Sequence, residues 1–327
     1  MKRRSLFLFL PAFLLSSIAW NNPARAAEDC RLKLVASFDA IVENGRLMIP
    51  VSLNGRVAWV RLDTGAPVSL IGRNLVEELN LPTRKEKNPF IDISGGELDE
   101  SAVVEKLDLG GMTANNIRFA IVKAEQFNGA TIGANLFAAY DIELDMAHSR
   151  VNLFLHDHCK GQVVYWTQDY EAIPFKIYRG FHPAFPVTLD GKTLNAMMDT
   201  GAGRTYLFTD VAKREFDIDP EADGERPEGR VLSLAGGENL PVHFRQFSAL
   251  GLGGLEIRNT QIALIPRREP PKPPKRRPRS LSTPSVEIIA EEHPQEEIIV
   301  GLSHLQKLRV FIAYGERVLY ITPADAQ

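Results

Sequence analysis

The sequence predicts an all-β fold built from two homologous lobes. Three observations support this class: an internal duplication that runs through most of the chain, short apolar runs separated by glycine and proline, and a length that suits two domains or one large two-lobed domain. The chain has 327 residues, including 24 glycines and 21 prolines. Few segments show a long helical period, and each half is comparable in size to a small closed β-unit.

The duplication is most evident in the triplet Asp-Thr-Gly, which occurs at residues 63–65 and again at 199–201. Each copy follows an apolar run and precedes an alanine, in LDTGA and MDTGA. At average composition, one such triplet is expected about 0.1 times in a chain of this length. Pro50 and Pro186 each lie 13 residues before the aspartate of their half, so the surrounding segments are in register as well. We therefore expect one duplicated β-rich unit.

The elements around the triplet follow the same order in both halves. A strand precedes the triplet. After it come, in order, a short apolar stretch, a helical pattern closed by proline, two glycine pairs, a strand and an apolar-apolar-glycine step. The first glycine pairs, Gly95-Gly96 and Gly236-Gly237, are predicted to lie at hairpin tips. The matching segments are 49–56 with 185–192, 68–71 with 205–208, 74–82 with 209–220, 109–112 with 252–255, 117–122 with 260–265, and 131–133 with 299–301.

The halves differ mainly in residues 267–296 of the second one. This tract is rich in proline, first basic and then acidic, and contains only a short apolar stretch. It cannot bury enough apolar surface to offset the entropy lost on ordering, so we expect a largely disordered surface loop. A basic run can instead bind nucleic acid or an anionic membrane. The prolines and the absence of interleaved aromatic residues favour the solvated loop.

The first 26 residues are predicted to be a signal peptide rather than part of the fold. Basic residues at 2–4 precede an apolar stretch at 5–20, and residues 24–26 match an A-x-A cleavage site. Cleavage would take the formal charge from −3 to −7, and this mildly acidic body does not indicate a nucleic-acid partner. No other segment suits a bilayer span, so we expect an exported protein, periplasmic or secreted, without a stable membrane anchor.

The two cysteines, Cys30 and Cys159, are expected to form a disulfide, because cysteines in exported proteins are usually paired. Such a bond would tie together the two ends of the first lobe. Two buried thiols are the alternative. We place the first lobe at 27–159, a linker at 160–175 and the second lobe, with its insertion, at 176–327.

The two motifs supply one carboxylate each, at positions that a pseudo-twofold axis would bring together. Amide hydrolysis needs an activated water and an acid for the leaving nitrogen, and two carboxyl groups that share one proton provide both. Asp63 and Asp199 are therefore the candidate catalytic pair, and this chemistry requires no cofactor and no metal. Gly65 and Gly201 would allow tight loops whose N–H groups reach the carboxylates.

The other residues of the motifs are candidates for support. Thr64 and Thr200 carry hydroxyls placed to link the two loops across the axis. One or both of the glycine hairpins at 95–96 and 236–237 would act as a flap that closes on an extended peptide bound by strand addition.

These features resemble the pepsin-like and retropepsin-like aspartic peptidases, most of all bacterial exported members whose single chain carries two retropepsin-type lobes. The resemblance rests on LDTGA, on MDTGA and on the steps Ile132-Gly133 and Val300-Gly301, which in the family cross behind the catalytic loops. It covers roughly residues 35–155 and 170–322. It implies two retropepsin-like β-barrel lobes in a pepsin-like bilobal pseudo-dimer, and an aspartic endopeptidase that cleaves extended polypeptide segments.

Two departures from the family pattern bear on the chemistry. Family members commonly place Ser, Thr or Asp two residues after the motif glycine, where this chain has Pro67 and Gly203. Ala66 and Ala202 follow the glycine, where pepsin-like enzymes often have Ser or Thr. Fewer hydrogen-bond donors should leave the pKa values of the pair higher, so we expect a pH optimum less acid than that of pepsin.

Two alternatives stay open at this point. The departures motivate a peptide-binding protein that has lost turnover on the same fold. A second alternative is a protease whose carboxyl pair forms between two chains. We expect a monomer, with a homodimer possible.

Two further clusters are interpreted as structural. The run at 156–159, His-Asp-His-Cys, predicts a polar turn leading to the disulfide, because its spacing and the lack of a matching cluster argue against zinc. Asp141, Glu143 and Asp145 alternate along a strand and are expected on its solvent face rather than in a catalytic set. We find no serine or cysteine nucleophile arrangement.

Overall fold

The structure is a computed structural model that describes residues 30–178, 181–268 and 295–326. The predicted signal peptide at 1–26 and most of the predicted loop at 267–296 lie outside the described residues. Among the described residues strands predominate and the helices are short, which confirms the predicted all-β class.

The described elements divide evenly between the two halves of the chain. Those of the first half are β1 (Leu34–Asp39), β2 (Ile41–Glu43), β3 (Arg46–Leu53), β4 (Arg56–Asp63), β5 (Ser69–Gly72), α1 (Arg73–Glu78), β6 (Thr83–Ile91), β7 (Glu97–Leu109), β8 (Met112–Val122), β9 (Ala130–Gly133), α2 (Ala134–Phe137), β10 (Asp141–Asp145) and β11 (Arg150–Phe154). Those of the second half are β12 (Glu171–Pro174), β13 (Lys176–Tyr178), β14 (His182–Leu189), β15 (Lys192–Asp199), β16 (Tyr206–Phe208), α3 (Thr209–Phe216), β17 (Gly229–Val231), β18 (Leu240–Leu252), β19 (Leu255–Ile265), β20 (Ile298–Gly301), α4 (Leu302–Leu305), β21 (Leu308–Ala313) and β22 (Val318–Pro323).

Each half folds into a closed barrel of six strands. In the N-terminal barrel the order is β3-β4-β9-β5-β8-β7, and the pairing of β3 with β7 closes the ring. The C-terminal barrel has the equivalent order β14-β15-β20-β16-β19-β18 and closes through β14 and β18. Equivalent strands thus occupy equivalent places, which confirms the predicted pair of homologous retropepsin-like lobes.

The barrel interiors follow the alternation expected of strands with one face in a core. In β3 the buried residues include Ile49, Val51 and Leu53, and the residues between them are more exposed. The equivalent residues of β14, among them Phe185 and Val187, are buried in the same alternation. Strands β5, β9 and β20 are buried along their whole length because they run between other strands of the barrels.

The predicted local elements lie where the duplication places them. The two helical patterns form α1 and α3. The second glycine pairs, at 110–111 and 253–254, form the tight turns between β7 and β8 and between β18 and β19. Gly110 and Gly253 have φ values of +55° and +61°, a region in which glycine carries no steric cost.

A third sheet joins the two lobes. Its strand order is β1-β11-β10-β21-β22-β12, so three strands come from each half of the chain. Strands β10 and β21 pair antiparallel at its centre, and backbone hydrogen bonds therefore run from one lobe into the other. Strand β12 lies within the predicted linker and forms one edge of this shared sheet.

The expectation that the acidic residues of β10 face solvent is wrong. Asp141, Glu143 and Asp145 are all buried, because their strand lies in the middle of the shared sheet and the segment 158–166 contacts the same face. Arg309 of β21 compensates the charges of Glu143 and Asp145. Its guanidinium donates to Glu143 from Nε (2.9 Å) and Nη2 (2.7 Å), and Nη2 lies 3.1 Å from Asp145.

The segment that ends the first lobe is also tied to this sheet. Its His158 ring is buried and its Nε2 hydrogen-bonds the Asp141 carboxylate at 2.5 Å, so the predicted polar turn has a buried face. Cys159 is bonded to Cys30, which confirms the predicted disulfide. Closing a loop of this length stabilises the fold by about 4–5 kcal/mol in the loop-entropy account.

Removing one member of the buried ion pair should be costly. We predict that Arg309→Met lowers the free energy of unfolding by about 3–5 kcal/mol, because Glu143 would be left buried and without its cation. The Arg309 and Glu143 side chains are only 8% and 0% exposed. Denaturant unfolding with linear extrapolation measures the change.

The matched control is Arg150→Met, which removes the exposed partner of Asp39 in the same sheet. Exposed pairs contribute less than about 1 kcal/mol, so this variant should unfold close to the wild type. Equal losses in the two variants would contradict the buried network as the stabilising element.

Candidate active site

The two aspartates stand at the ends of equivalent strands. Strand β4 ends at Asp63 and β15 ends at Asp199. Strands β9 and β20 run parallel to them, with Gly133 in register with Asp63 and Gly301 in register with Asp199. The predicted glycine steps therefore lie directly beside the two motifs. The loops after the aspartates also bond to the residues after these glycines, since Ala134 N donates to Ala66 O and Leu302 N donates to Ala202 O.

The two motif threonines link the loops across the pseudo-twofold axis. Thr64 N–H donates to Thr200 Oγ1 (3.0 Å), and Thr200 N–H donates to Thr64 Oγ1 (3.1 Å). Each hydroxyl in turn donates to the opposite strand, Thr64 to Met198 O (3.2 Å) and Thr200 to Leu62 O (2.8 Å). Both threonines are fully buried. Four hydrogen bonds thus hold the two loops in one fixed arrangement.

This arrangement brings the two carboxyl groups together. Each carboxyl lies against the motif glycine of the opposite loop, Asp199 beside Gly65 and Asp63 beside Gly201. Gly65 N–H donates to Asp63 Oδ1 (2.9 Å) and Gly201 N–H donates to Asp199 Oδ1 (2.8 Å). A Cβ at either glycine would overlap the carboxyl group of the opposite aspartate. The motif glycines are therefore required by close approach as well as by the turn.

The electrostatic environment favours a proton on the pair. Burial and the neighbouring charge of Asp199 raise the pKa of Asp63 well above its usual range, and the hydrogen bond between the two carboxyls adds to the rise. Arg61 and the Gly65 N–H oppose it. One proton shared by two carboxyls is the state that can both accept a proton from water and donate one.

The departures at the residues after the motif glycines leave the aspartates with backbone donors. Ala202 N–H gives Asp199 Oδ1 a second donor at 3.0 Å, whereas Ala66 N–H instead donates to the Asp63 main-chain carbonyl at 3.4 Å. The two carboxyls therefore differ in their backbone donors, with two at Asp199 Oδ1 and one at Asp63 Oδ1.

Two cavities meet at the carboxyl pair, one of about 440 Å³ and one of about 230 Å³. Asp63 and Asp199 line both of them, and so do Ile93 and Leu234. Ile93 and Leu234 belong to the loops that carry the predicted glycine hairpins of the two lobes. The hairpins therefore lie across the cavities from the carboxyls.

The two hairpins contact each other through one carboxylate. Asp92 accepts hydrogen bonds from Ser94 N (2.9 Å) and Gly96 N (2.9 Å) of its own turn. It also accepts one from Ala235 N (3.0 Å) of the opposite lobe. Ser94 Oγ donates to Ser233 Oγ (2.8 Å) beside it. Asp92 is buried, and its hydrogen bonds link the two hairpins. We call this link between Asp92 and Ala235 the hairpin clasp.

The glycine pairs themselves lie in these turns. Gly95 and Gly96 connect β6 with β7, and Gly236 and Gly237 lie in the connection between β17 and β18. Gly96 packs against Ala235 so closely that a Cβ on the glycine would overlap that side chain.

Three residues near the carboxyl pair belong to no sequence motif, and the sequence did not predict a role for them. Arg61 and Tyr206 line the larger cavity, and Asp92 joins the hairpins. Arg61 lies two residues before Asp63, where the second half has Met197, so comparing the two copies position by position would have revealed it.

The side chains that hold the two Asp-Thr-Gly loops from behind were not predicted either, because they belong to no sequence motif. Ser69 Oγ accepts from Gly133 N–H (3.1 Å), and Thr205 Oγ1 accepts from Gly301 N–H (3.0 Å). Buried His304 hydrogen-bonds both Thr205 and Thr260. Burial lowers the pKa of His304 to about 4, so this ring is neutral at physiological pH.

Two absences concern the described part of the chain. No group of three or more His, Cys, Asp and Glu side chains in it is arranged to hold a metal ion. No helix in it has the length and apolar character needed to cross a membrane.

Two barrels that each contribute an Asp-Thr-Gly loop to one carboxyl pair define a two-lobed aspartic protease fold. A family model described as aspartyl protease matches residues 49–136 and 185–304, more than half of the chain, and the chain belongs to that family. No curated protein shows significant similarity to it. The match includes both motifs and both glycine steps.

The raised pKa of Asp63 predicts that this residue destabilises the fold at neutral pH. A group whose pKa is raised on folding contributes stability below its unfolded pKa and loses it as the pH rises through the folded pKa. We expect Asp63→Asn to melt higher than the wild type by about 2 °C or more near pH 7.5. The difference should vanish near about pH 4, where the wild-type carboxyl keeps its proton.

Calorimetry or dichroism melts of both proteins at the two pH values provide the measurement. A variant that melts lower than the wild type near neutral pH would show that Asp63 is stabilising in its charged form.

Proposed function

We propose that this chain is an aspartic endopeptidase that hydrolyses peptide bonds with a water activated by Asp63 and Asp199. The observation that carries the proposal is the close approach of the two carboxyls, each against the opposite motif glycine, where the two cavities meet. Membership of the aspartyl protease family supports the reaction class. The substrate would be an extended segment of polypeptide, bound between the carboxyl pair and the hairpins.

The proposed reaction begins with the proton on Asp63 and the charge on Asp199. Asp199 takes a proton from the water as its oxygen bonds to the peptide carbonyl carbon, and Asp63 gives its proton to the carbonyl oxygen. The resulting tetrahedral diol then collapses. Asp199 passes its proton to the nitrogen as the C–N bond breaks, and a hydroxyl proton returns to Asp63. Both carboxyls finish in their starting states.

Thr64, Gly65, Thr200 and Gly201 would support this chemistry by positioning. The threonine hydrogen bonds fix the distance between the loops, and the glycines let each carboxyl approach the opposite loop. A fixed geometry of this kind lowers the reorganisation needed at the moment of reaction.

The disulfide indicates an oxidising compartment. Together with the leader pattern of residues 1–26, it supports an exported enzyme, periplasmic or secreted. We propose that it acts as a monomer, because one chain supplies both carboxyls.

Activity provides the direct test. We expect the chain without residues 1–26 to cleave members of a mixed peptide library between about pH 3 and about pH 8, and Asp63→Asn and Asp199→Asn each to abolish the cuts. Since the pKa of Asp63 is raised, the falling limb of the rate profile should lie at higher pH than for an unperturbed carboxyl, and the optimum should lie above about pH 3.

Mass spectrometry of the products gives rates and cut positions together. A folded wild type that binds peptides but cuts none would favour the inactive peptide-binding alternative. Cuts restored by mixing the two Asn variants would favour a pair formed between chains.

The hairpin clasp also affects turnover if the hairpins act as flaps. We predict that Asp92→Ala lowers kcat/KM by about tenfold to a hundredfold, because the hairpins no longer hold the peptide in register over the carboxyls. Amide hydrogen exchange at 92–96 and 232–237 should speed up in the same variant. Asp39→Ala, on the shared sheet, is the control; unchanged exchange in Asp92→Ala would refute the clasp.

A further inference from the structure

The two sides of the cleft differ in charge at positions that the duplication makes equivalent. Arg61 lies two residues before Asp63, and Met197 lies two residues before Asp199. Arg61 lines the larger cavity and Met197 lines the smaller one. The same backbone position therefore presents a cation on one side of the carboxyl pair and an apolar side chain on the other.

Other equivalent positions differ in the same direction. Arg46 begins β3 and lines the larger cavity, whereas its equivalent His182 begins β14 and lines the smaller one. Asn128 and Glu296 each lie five residues before the glycine of their step, and they line the larger and the smaller cavity respectively. The smaller cavity, which has no arginine among its described lining residues, therefore carries an additional carboxylate, that of Glu296.

Arg230 adds a third cation to the larger cavity. Apart from the pair itself, no carboxylate of the described residues lines this cavity. A pair that shares one proton carries one negative charge, so the three guanidinium groups are not neutralised by it. The smaller cavity has no lysine or arginine among its described lining residues and contains apolar side chains such as Leu70 and Phe90.

The guanidinium groups on this side also have unused donors. Within the described residues, Arg46, Arg61 and Arg230 make no side-chain hydrogen bond or ion pair, and Arg61 Nε is buried without an acceptor. Arg61 lies over the Phe127 ring, with its Cζ 5.4 Å from the ring centroid, and this packing orients it. Arg61 is partly buried, whereas Arg46 and Arg230 are exposed, so the Arg61 guanidinium is the group placed to bind a planar carboxylate.

We infer that the larger cavity is a subsite for an acidic side chain, so that the preferred peptide carries Asp or Glu beside the scissile bond on the Arg61 side and an apolar residue on the Met197 side. This inference rests on the proposed function, because it assigns the two halves of the same cleft. A carboxylate on the Arg61 side would gain charge-assisted hydrogen bonds from an already placed donor. The same side chain on the Met197 side would face apolar surface and Glu296.

The experiment compares capped peptides, acetylated and amidated at their ends, that differ only in Glu, Gln or Leu at the position flanking a mapped cut. We expect kcat/KM for the Glu peptide to exceed that for the Gln peptide by about tenfold near pH 6, where glutamate is ionised. The preference should appear on one side of the cut only, with apolar residues favoured on the other.

Arg61→Met tests the assigned residue, because it places the side chain of the equivalent position in the other lobe. The Glu to Gln ratio should fall to about one in this variant and take an intermediate value in Arg61→Lys, which keeps the charge but loses the planar fork. Using a ratio of two peptides on one enzyme cancels any effect of Arg61 on the carboxyl pair. Met197→Leu and the exposed Arg258→Gln are the controls, and both should keep the wild-type ratio. Melting curves verify that each variant is folded.

Several results would overturn the inference. They are a Glu to Gln ratio near one in the wild type, or an unchanged ratio in Arg61→Met. If the wild type cuts nothing, fluorescence anisotropy of the same peptides separates the two proposals. Tighter binding of the Glu peptide would keep the subsite while the peptidase proposal fails, and equal binding would remove both.

Discussion

The structure depends on the close approach of two Asp-Thr-Gly loops at a pseudo-twofold axis. Two carboxyls can lie within hydrogen-bonding distance only if they share a proton or if strong constraints oppose their repulsion. Here the reciprocal threonine hydrogen bonds supply the constraint, and the absence of a Cβ at Gly65 and Gly201 supplies the space. Both barrels, the glycine steps beside them and the shared sheet hold these loops in place.

The duplication explains why the two Asp-Thr-Gly loops can meet. The differences between the two copies explain how the cleft would distinguish acidic from apolar side chains of a peptide. Backbone positions are kept equivalent by matching strands, so Asp63 pairs with Gly133 as Asp199 pairs with Gly301. Side chains that point into the cleft are free of that requirement. Arg61 and Met197 illustrate this, because they share a backbone position and differ in charge and polarity.

The sequence predicts the parts of the molecule that are encoded twice. Both copies contain the strands of a lobe, the motif residues and the glycine turns. A prediction made for one copy is therefore supported by the same pattern in the other. The sequence does not predict the burial or the role of a residue whose contact partner lies far away in the chain. Asp141, Glu143 and Asp145 follow the alternation of a solvent-facing strand, and nothing nearby reveals that Arg309 pairs with Glu143 and Asp145 or that His158 hydrogen-bonds Asp141. Asp92 is similar, since its role depends on Ala235 in the other lobe.

The same physical principle separates the two clusters of charge in this protein. In the shared sheet, Glu143 accepts hydrogen bonds from Arg309, Asn152 and Tyr165, so that its charge is fully partnered within the fold. Such a network links the two lobes, because Glu143 of β10 and Arg309 of β21 come from different halves of the chain. In the cleft, Arg61 has a buried donor with no acceptor. At the lobe interface the Glu143 charge is partnered within the fold, whereas the Arg61 donor belongs to a side chain that lines an open cavity, and that contrast is the physical reason to assign the cationic side of the cleft to substrate rather than to stability.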